Sequence, residues 1–228
     1  AGRAEKTLFI VTSLNGFELL EHRGLGSGWT VFEESIRVPL VLHADGALPE
    51  AEIATPISLV NFLPTVISLV GLDDDGSPRE GQTLFEPMGE VYQFAAPEGA
   101  RIAEVVIPER CIVRSATVDG VKYVSSSLWA DPGARFAAAQ SHKDTANAFA
   151  SGAQPLPPLW GANAFEATFN LRADPLETTN LLQTNSSAAD RARAVLTAYR
   201  EHCAAQGIAP RVATQFESAL DAEQLENL

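Results

Sequence analysis

Between Asn15 and Arg37 the sequence places Asn15, Glu21, His22, Ser27, Glu33, Glu34 and Arg37. These types could supply an amide oxygen to a metal, an imidazole that titrates near neutrality, and carboxylates for acid–base work. Each also has a plainer reading. Asn15 before Gly16 is what an ordinary turn uses. Glu33-Glu34-Ser35-Ile36-Arg37-Val38-Pro39 reads first as an ion pair and a helix leading into a strand. His22 stays open between a site residue and a polar loop histidine. Outside this stretch, His43, His142 and His202 show no ligand spacing. Cys111 and Cys203 are too few for a disulfide framework and lack the paired spacing of a zinc site, so each reads as a small buried hydrophobe.

The elements that must position these residues follow from the apolar pattern. Thr7 to Thr12, TLFIVT, fits a buried strand and exits through SLNG, and Val38 to His43, VPLVLH, fits a second, closed by Ala44-Asp45-Gly46. The two read as parallel neighbours joined through a loop and a short helix. In Pro56 to Leu72, the residues Phe62, Leu63, Val66, Ile67, Leu69 and Val70 recur at helical spacing. Asn61 serves as N-cap, Pro64 falls in the first turn and Gly71 takes a left-handed cap. After residue 100 the runs shorten and alternate, Ala103 to Ile107, Arg110 to Ser115 and Lys122 to Ser126, with Asp119-Gly120 as a hairpin turn. They predict a small antiparallel sheet. Ala130 to Trp160 reads as a surface loop, Asp174-Pro175-Leu176-Glu177 as a turn, and Ala188 to Gln206 as an amphipathic helix. That helix carries Ala192, Val195, Leu196, Tyr199 and Cys203 on the face that docks on the sheet. The tail from Pro210 to Leu228 is polar and acidic.

The 228 residues suffice for one sizeable core, and the hydrophobic and charged fractions, 46% and 20%, are those of an ordinary globular chain. With 16 Lys and Arg against 29 Asp and Glu, the net charge of -13 repels phosphate backbones and anionic lipid surfaces, which argues against nucleic-acid and membrane partners. No apolar run approaches the roughly 20 residues of a membrane span. Trp29, Trp129 and Trp160 are scattered and mark no sugar site. Oligomeric state is not encoded legibly.

TLFIVTSLNGFELLEHRGLGSGWTVFEESIRVPLVLHADG, Thr7 to Gly46, resembles the stretch of sulfatases, in the alkaline phosphatase superfamily, that runs from a late metal-binding strand into the next strand. ISLVNFLPTVISLVGL, GQTLFEPM, RSATVDGVKYV, FNLRADPLETTNLL and the final SALDAEQLENL resemble later sulfatase segments in the same order. The resemblance implies an α/β fold: the C-terminal part of an alkaline-phosphatase-like sandwich, with a parallel or mixed sheet and flanking helices, plus a small antiparallel sheet packed by a C-terminal helix. Its expected divisions are 1–100 for the α/β core part, 101–209 for the small-sheet subdomain with 130–160 as its loop, and 210–228 for the acidic tail.

In that family a formylglycine, made from the Cys or Ser of a Cys/Ser-x-Pro-x-Arg motif, attacks sulfur while a divalent metal, calcium, magnesium or zinc, neutralises charge. Neither cysteine here sits in such a motif. Family members end the first strand in Thr-Ser-Asp-Asn/His-Gly; this sequence has Thr12-Ser13-Leu14-Asn15-Gly16, so a hydrocarbon replaces the ligand Asp and Asn15 is the remaining metal position. Ser27 stands where the family places a His or Lys on the ester oxygens. His22 resembles the His of the family's Gly-Glu-His segment and is the candidate catalytic residue. The expectation is therefore a sulfatase-like fragment or pseudoenzyme that needs no cofactor alone, with the missing N-terminal part of the same protein as its possible partner. The alternative is the C-terminal portion of an active sulfuric or phosphoric ester hydrolase completed by an upstream segment. Relatives are often exported, and the compartment of this chain is not legible.

Overall fold

The computed structural model describes residues 3, 6–19, 21–22, 25–28, 30–73, 76–77, 80–97, 99–107, 111–128, 166–182 and 184–206. The expected 130–160 loop, the 210–228 tail, His142 and all three tryptophans lie outside them. Two compact units divide the chain: residues 1–14 with 38–101, and residues 15–37 with 102–228.

In the first unit, strands β1 (Phe9–Thr12) and β4 (Leu40–His43) pair antiparallel, with Phe9 opposite His43 and Thr12 opposite Leu40. The expected parallel pairing is thus corrected. A parallel return needs a crossover of a dozen or more residues, usually a helix. Among the described residues the one helix between these strands, α1 (Glu33–Ile36), is a single turn. The expected burial of β1 also fails: Phe9 is 49% and Val11 62% exposed, and Val41 on β4 is 56% exposed. Among the described residues the two strands form a sheet of their own, so neither has a second neighbour in it.

Helix α2 (Phe62–Val70) follows a short 3-10 turn, Leu59–Asn61. Pro64 is in its first turn, and Gly71 closes it at φ +68, where any other residue would be strained. Asn61 occupies the N-cap, but its side chain does not cap. Its Oδ1 accepts the Gln82 N–H at 2.9 Å, tying the helix start to the chain that enters strand β5 (Phe85–Met88). Thr65, buried on α2, donates to the Asn61 carbonyl and accepts the Leu84 N–H at 2.9 Å. Strand β6 (Val91–Phe94) completes a hairpin with β5, and Phe85 and Phe94 meet edge to face.

The second unit carries the larger core. Strands β7 (Arg101–Ile107), β8 (Cys111–Val118), β9 (Val121–Leu128) and β10 (Glu166–Asn170) form one sheet in the order β10-β9-β8-β7, with β9 antiparallel to both neighbours. Asp119 and Gly120, at φ +52 and +84, make the tight β8–β9 turn, as the Asp-Gly pair predicts. Alternation along the strands sends Ala116 and Tyr123 to one face, against Ala189, Ala192 and Leu196 of helix α3 (Asp190–Ala205) and the turn before it. Val113, Val124, Ala167 and Phe169 face the other way, against Val31 and Phe32. Residues 15–37 therefore cover the sheet face opposite α3. They include two short paired strands, β2 (Glu18–Leu19) and β3 (Leu25–Gly26), and α1.

Candidate functional site

Three of the positions singled out from sequence are exposed. Leu14 is 96% exposed. Asn15 turns its side-chain amide onto the Gly16 carbonyl at 2.7 Å, the local bond of a turn. Ser27 lies exposed just after β3. Among the described residues no three His, Cys, Asp or Glu side chains gather closely enough to hold a metal ion. The metal that the resemblance implies thus finds no matching donor set within the described part of this chain, and no chemistry is routed through it.

His22 behaves differently. Its Nδ1 lies 2.5 Å from Oε1 of Glu34 on α1, and its Nε2 lies 3.1 Å from the backbone carbonyl of Glu177. The ring stacks on Phe32, centroids 3.8 Å apart and planes within 6°. Burial alone would lower the imidazole pKa, but the Glu34 carboxylate and the Glu177 carbonyl outweigh it and hold it above the usual 6.5. Burial acts the other way on Glu34, pushing it upward, yet the bond from His22 brings it below the usual 4.5.

Beside this pair lies a charge cluster in which Glu33 meets two residues whose part in a site the sequence did not show, Lys122 and Glu177. Lys122 alternates with Tyr123 on β9, so it points to the same face as Val124, into the core beneath residues 15–37. It is fully buried. Its ammonium lies 2.9 Å from Glu177, also fully buried, and 3.0 Å from Glu33. The other Glu177 oxygen accepts the Glu33 N–H at 2.6 Å, satisfying a free donor in the first turn of α1. Burial raises the Glu177 carboxyl, and Lys122 and the Glu33 N–H pull it back. Glu177 adopts φ +53, uncommon for a residue with a side chain, at the end of the turn read as Asp174 to Glu177. The available signal was a lysine between valine and tyrosine in a short alternating strand, on its apolar side.

A third tie completes the attachment of the segment to itself. Glu18 is buried, and its Oε1 accepts the hydroxyls of Thr30 at 2.7 Å and Ser35 at 2.9 Å, while burial raises its pKa. Gly16 donates to the Ser35 carbonyl at 2.8 Å. A Cβ there would stand 1.9 Å from the Glu34 carbonyl oxygen, so only glycine allows the approach. Arg37 closes α1 with its N–H on the Glu33 carbonyl. Chemically, the arrangement holds charges in place. His22 has no ring nitrogen left over for a substrate, and the cluster fastens residues 15–37 to the sheet and to the 174–177 turn.

Known proteins resemble parts of the chain. The sulfatase family model matches residues 1–72. Arylsulfatase K of Danio rerio is 36% identical over 95 residues, which are 42% of this chain and 18% of that protein. The solved structure of BT4656 in complex with its substrate D-glucosamine-2-N,6-O-disulfate superposes at a TM-score of 0.59 with 16% identity. That superposition covers 89% of this chain and 35% of the other. It shows an α/β fold of the alkaline-phosphatase-like class. The chain spans about a third or less of each relative.

Proposed function

We propose that this chain, which matches the sulfatase family over residues 1–72, is the C-terminal, scaffolding part of a sulfatase-type fold that does not hydrolyse sulfate esters alone. The observation that carries the proposal is the β1–β4 ribbon. A two-stranded ribbon is marginal by itself, and apolar side chains massed on a surface mark a site of association. Phe9, Val11 and Val41 are such side chains, and Leu59, Val60, Leu63 and Val70 around α2 are exposed in the same unit. The partner is the preceding part of the same fold. Leu14 supports the chemical half of the proposal, because a hydrocarbon cannot ligate a cation where the family pattern has an aspartate.

The ribbon can be tested without knowing the partner. In hydrogen exchange on the 228-residue chain, amides of 9–12 and 40–43 should exchange early while those of 113–117 and 122–124 stay protected. Val11→Thr with Val41→Thr should change stability by no more than about 0.5 kcal/mol, the usual surface effect. Ribbon amides as slow as those of β8 and β9, with a loss of several kcal/mol in the double variant, would show a finished core and refute the proposal.

A second reading is favoured by what the relatives are called. Arylsulfatase K, and BT4656 with its sulfated sugar substrate, point to an active sulfuric ester hydrolase. There, another segment would bring the nucleophile and the metal-binding acids. A Cys/Ser-x-Pro-x-Arg motif preceding Ala1 in the native reading frame would select that reading, and its absence would select a pseudoenzyme.

A further inference from the structure

The two ring nitrogens of His22 face two groups that can only accept. Nδ1 meets the Glu34 carboxylate and Nε2 meets the Glu177 carbonyl. A neutral imidazole has one N–H and one lone pair. In that form, one of the two contacts sets a lone pair against an oxygen. Only the imidazolium, with a donor on each side, satisfies both. We propose that protonated His22 is a pH-operated clasp that pins residues 15–37 to the 174–177 turn and releases them when it loses its proton to solvent. The inference concerns the second unit alone and stands apart from the sulfatase reading.

The surrounding charges agree in sign. Acting on His22 are Glu34 from α1, Glu177 and Asp174 from the turn after β10 and Glu18 from β2, while Lys122 of β9 sits behind Glu177, paired with it and with Glu33. Acids outnumber the single lysine, so a positive ring is favoured, and Phe32 presents its π-face to it. Because the folded-state pKa of His22 is raised, its stabilising contribution is complete below about 6.5 and is lost as the pH climbs through the folded value. Glu34 is lowered, so its share fails only in acid, as pH falls through its depressed value from 4.5. Glu18 is raised, so its tie also weakens with rising pH, starting from its ordinary 4.5. A clasp closed in mild acid and opening toward alkaline pH is the combined expectation.

Long-range nitrogen–proton correlation spectra of the histidine rings, recorded on the full chain from pH 5 to 9, read the protonation state directly. His22 should show the imidazolium pattern at pH 6.5 and titrate above that value. The Gly16 and Glu33 amides, corrected for intrinsic exchange, should exchange at least tenfold faster above the His22 pKa than below it. Glu34→Gln should lower that pKa by about one unit. His22→Gln should abolish the pH dependence of the two amides, with the β8–β9 amides reporting that the sheet is intact. A single neutral tautomer at pH 6 would overturn the proposal, as would an unchanged pH profile in His22→Gln. If that variant does not fold, the ring spectra of the unaltered chain decide the matter.

Discussion

Lys122→Met should lower the stability of the second unit by about 3–5 kcal/mol, the range for breaking a buried ion pair from one side. The methionine fills much of the same volume, so the loss is electrostatic. Glu177 would be left fully buried with the Glu33 N–H and no counter-charge. Two signatures separate this from simple damage to packing. First, the loss should shrink in acid, because an unpaired buried carboxyl takes up a proton instead of remaining charged. Second, Lys122→Met combined with Glu177→Leu should recover most of the loss, since an apolar pair of similar size replaces a buried ion pair at little cost. Urea unfolding of the three proteins at pH 7 and pH 5 measures both. An equal loss at both pH values, with no recovery in the double variant, would mean that Lys122 acts through shape alone.

Phe32→Ala should be comparably severe, about 3–5 kcal/mol, as for other buried aromatic truncations. Phe32 is the residue of segment 15–37 that joins the core to the clasp. It meets Phe169 on β10 edge to face at 5.9 Å and carries the His22 ring stacked above it. Its removal opens a cavity against the sheet and removes the ring that backs the imidazole. Phe32→Leu keeps most of the volume and should cost no more than about 1.5 kcal/mol. Denaturant midpoints with an unchanged slope would report stability rather than a change in the unfolded state. A Phe32→Ala midpoint within error of the parent would show that residues 15–37 contribute nothing to the core.

Much of this architecture is legible in the residues. The α2 boundaries follow from Asn61, Pro64 and Gly71, the β8–β9 turn follows from Asp119-Gly120, and the packed face of α3 follows from the spacing of Ala192 and Leu196. Short-range signals of this kind act through backbone geometry and helical periodicity, which one sequence carries in full. The direction of β1 against β4 does not, because a strand of three apolar residues and one polar one pairs equally well either way. Nor is burial of β1 legible from its composition, since Phe9 and Val11 are apolar whether or not anything covers them.

The candidate site divides in the same manner. His22 stands out as a residue, but its partners lie 12 and 155 positions away, and no local pattern announces Glu177. Glu33 and Glu34 read correctly as ion-pairing residues at the head of a helix, with Lys122 and His22 as their partners. The long-range half of the cluster is set by strand register, which places Lys122 opposite Thr117 and Phe169. One face of the sheet therefore holds a charge network whose members are scattered through the chain.

Sulfate release from an aryl sulfate by the purified 228-residue chain, with calcium, magnesium or zinc supplied in turn, addresses the scaffolding proposal without intermediaries. The expected result is a rate equal to the protein-free blank with every metal, and no metal retained in stoichiometric amount after desalting. Turnover above the blank together with one equivalent of bound metal would mean that these residues contain a complete reactive centre, and the assignment of the chain as scaffold would be wrong.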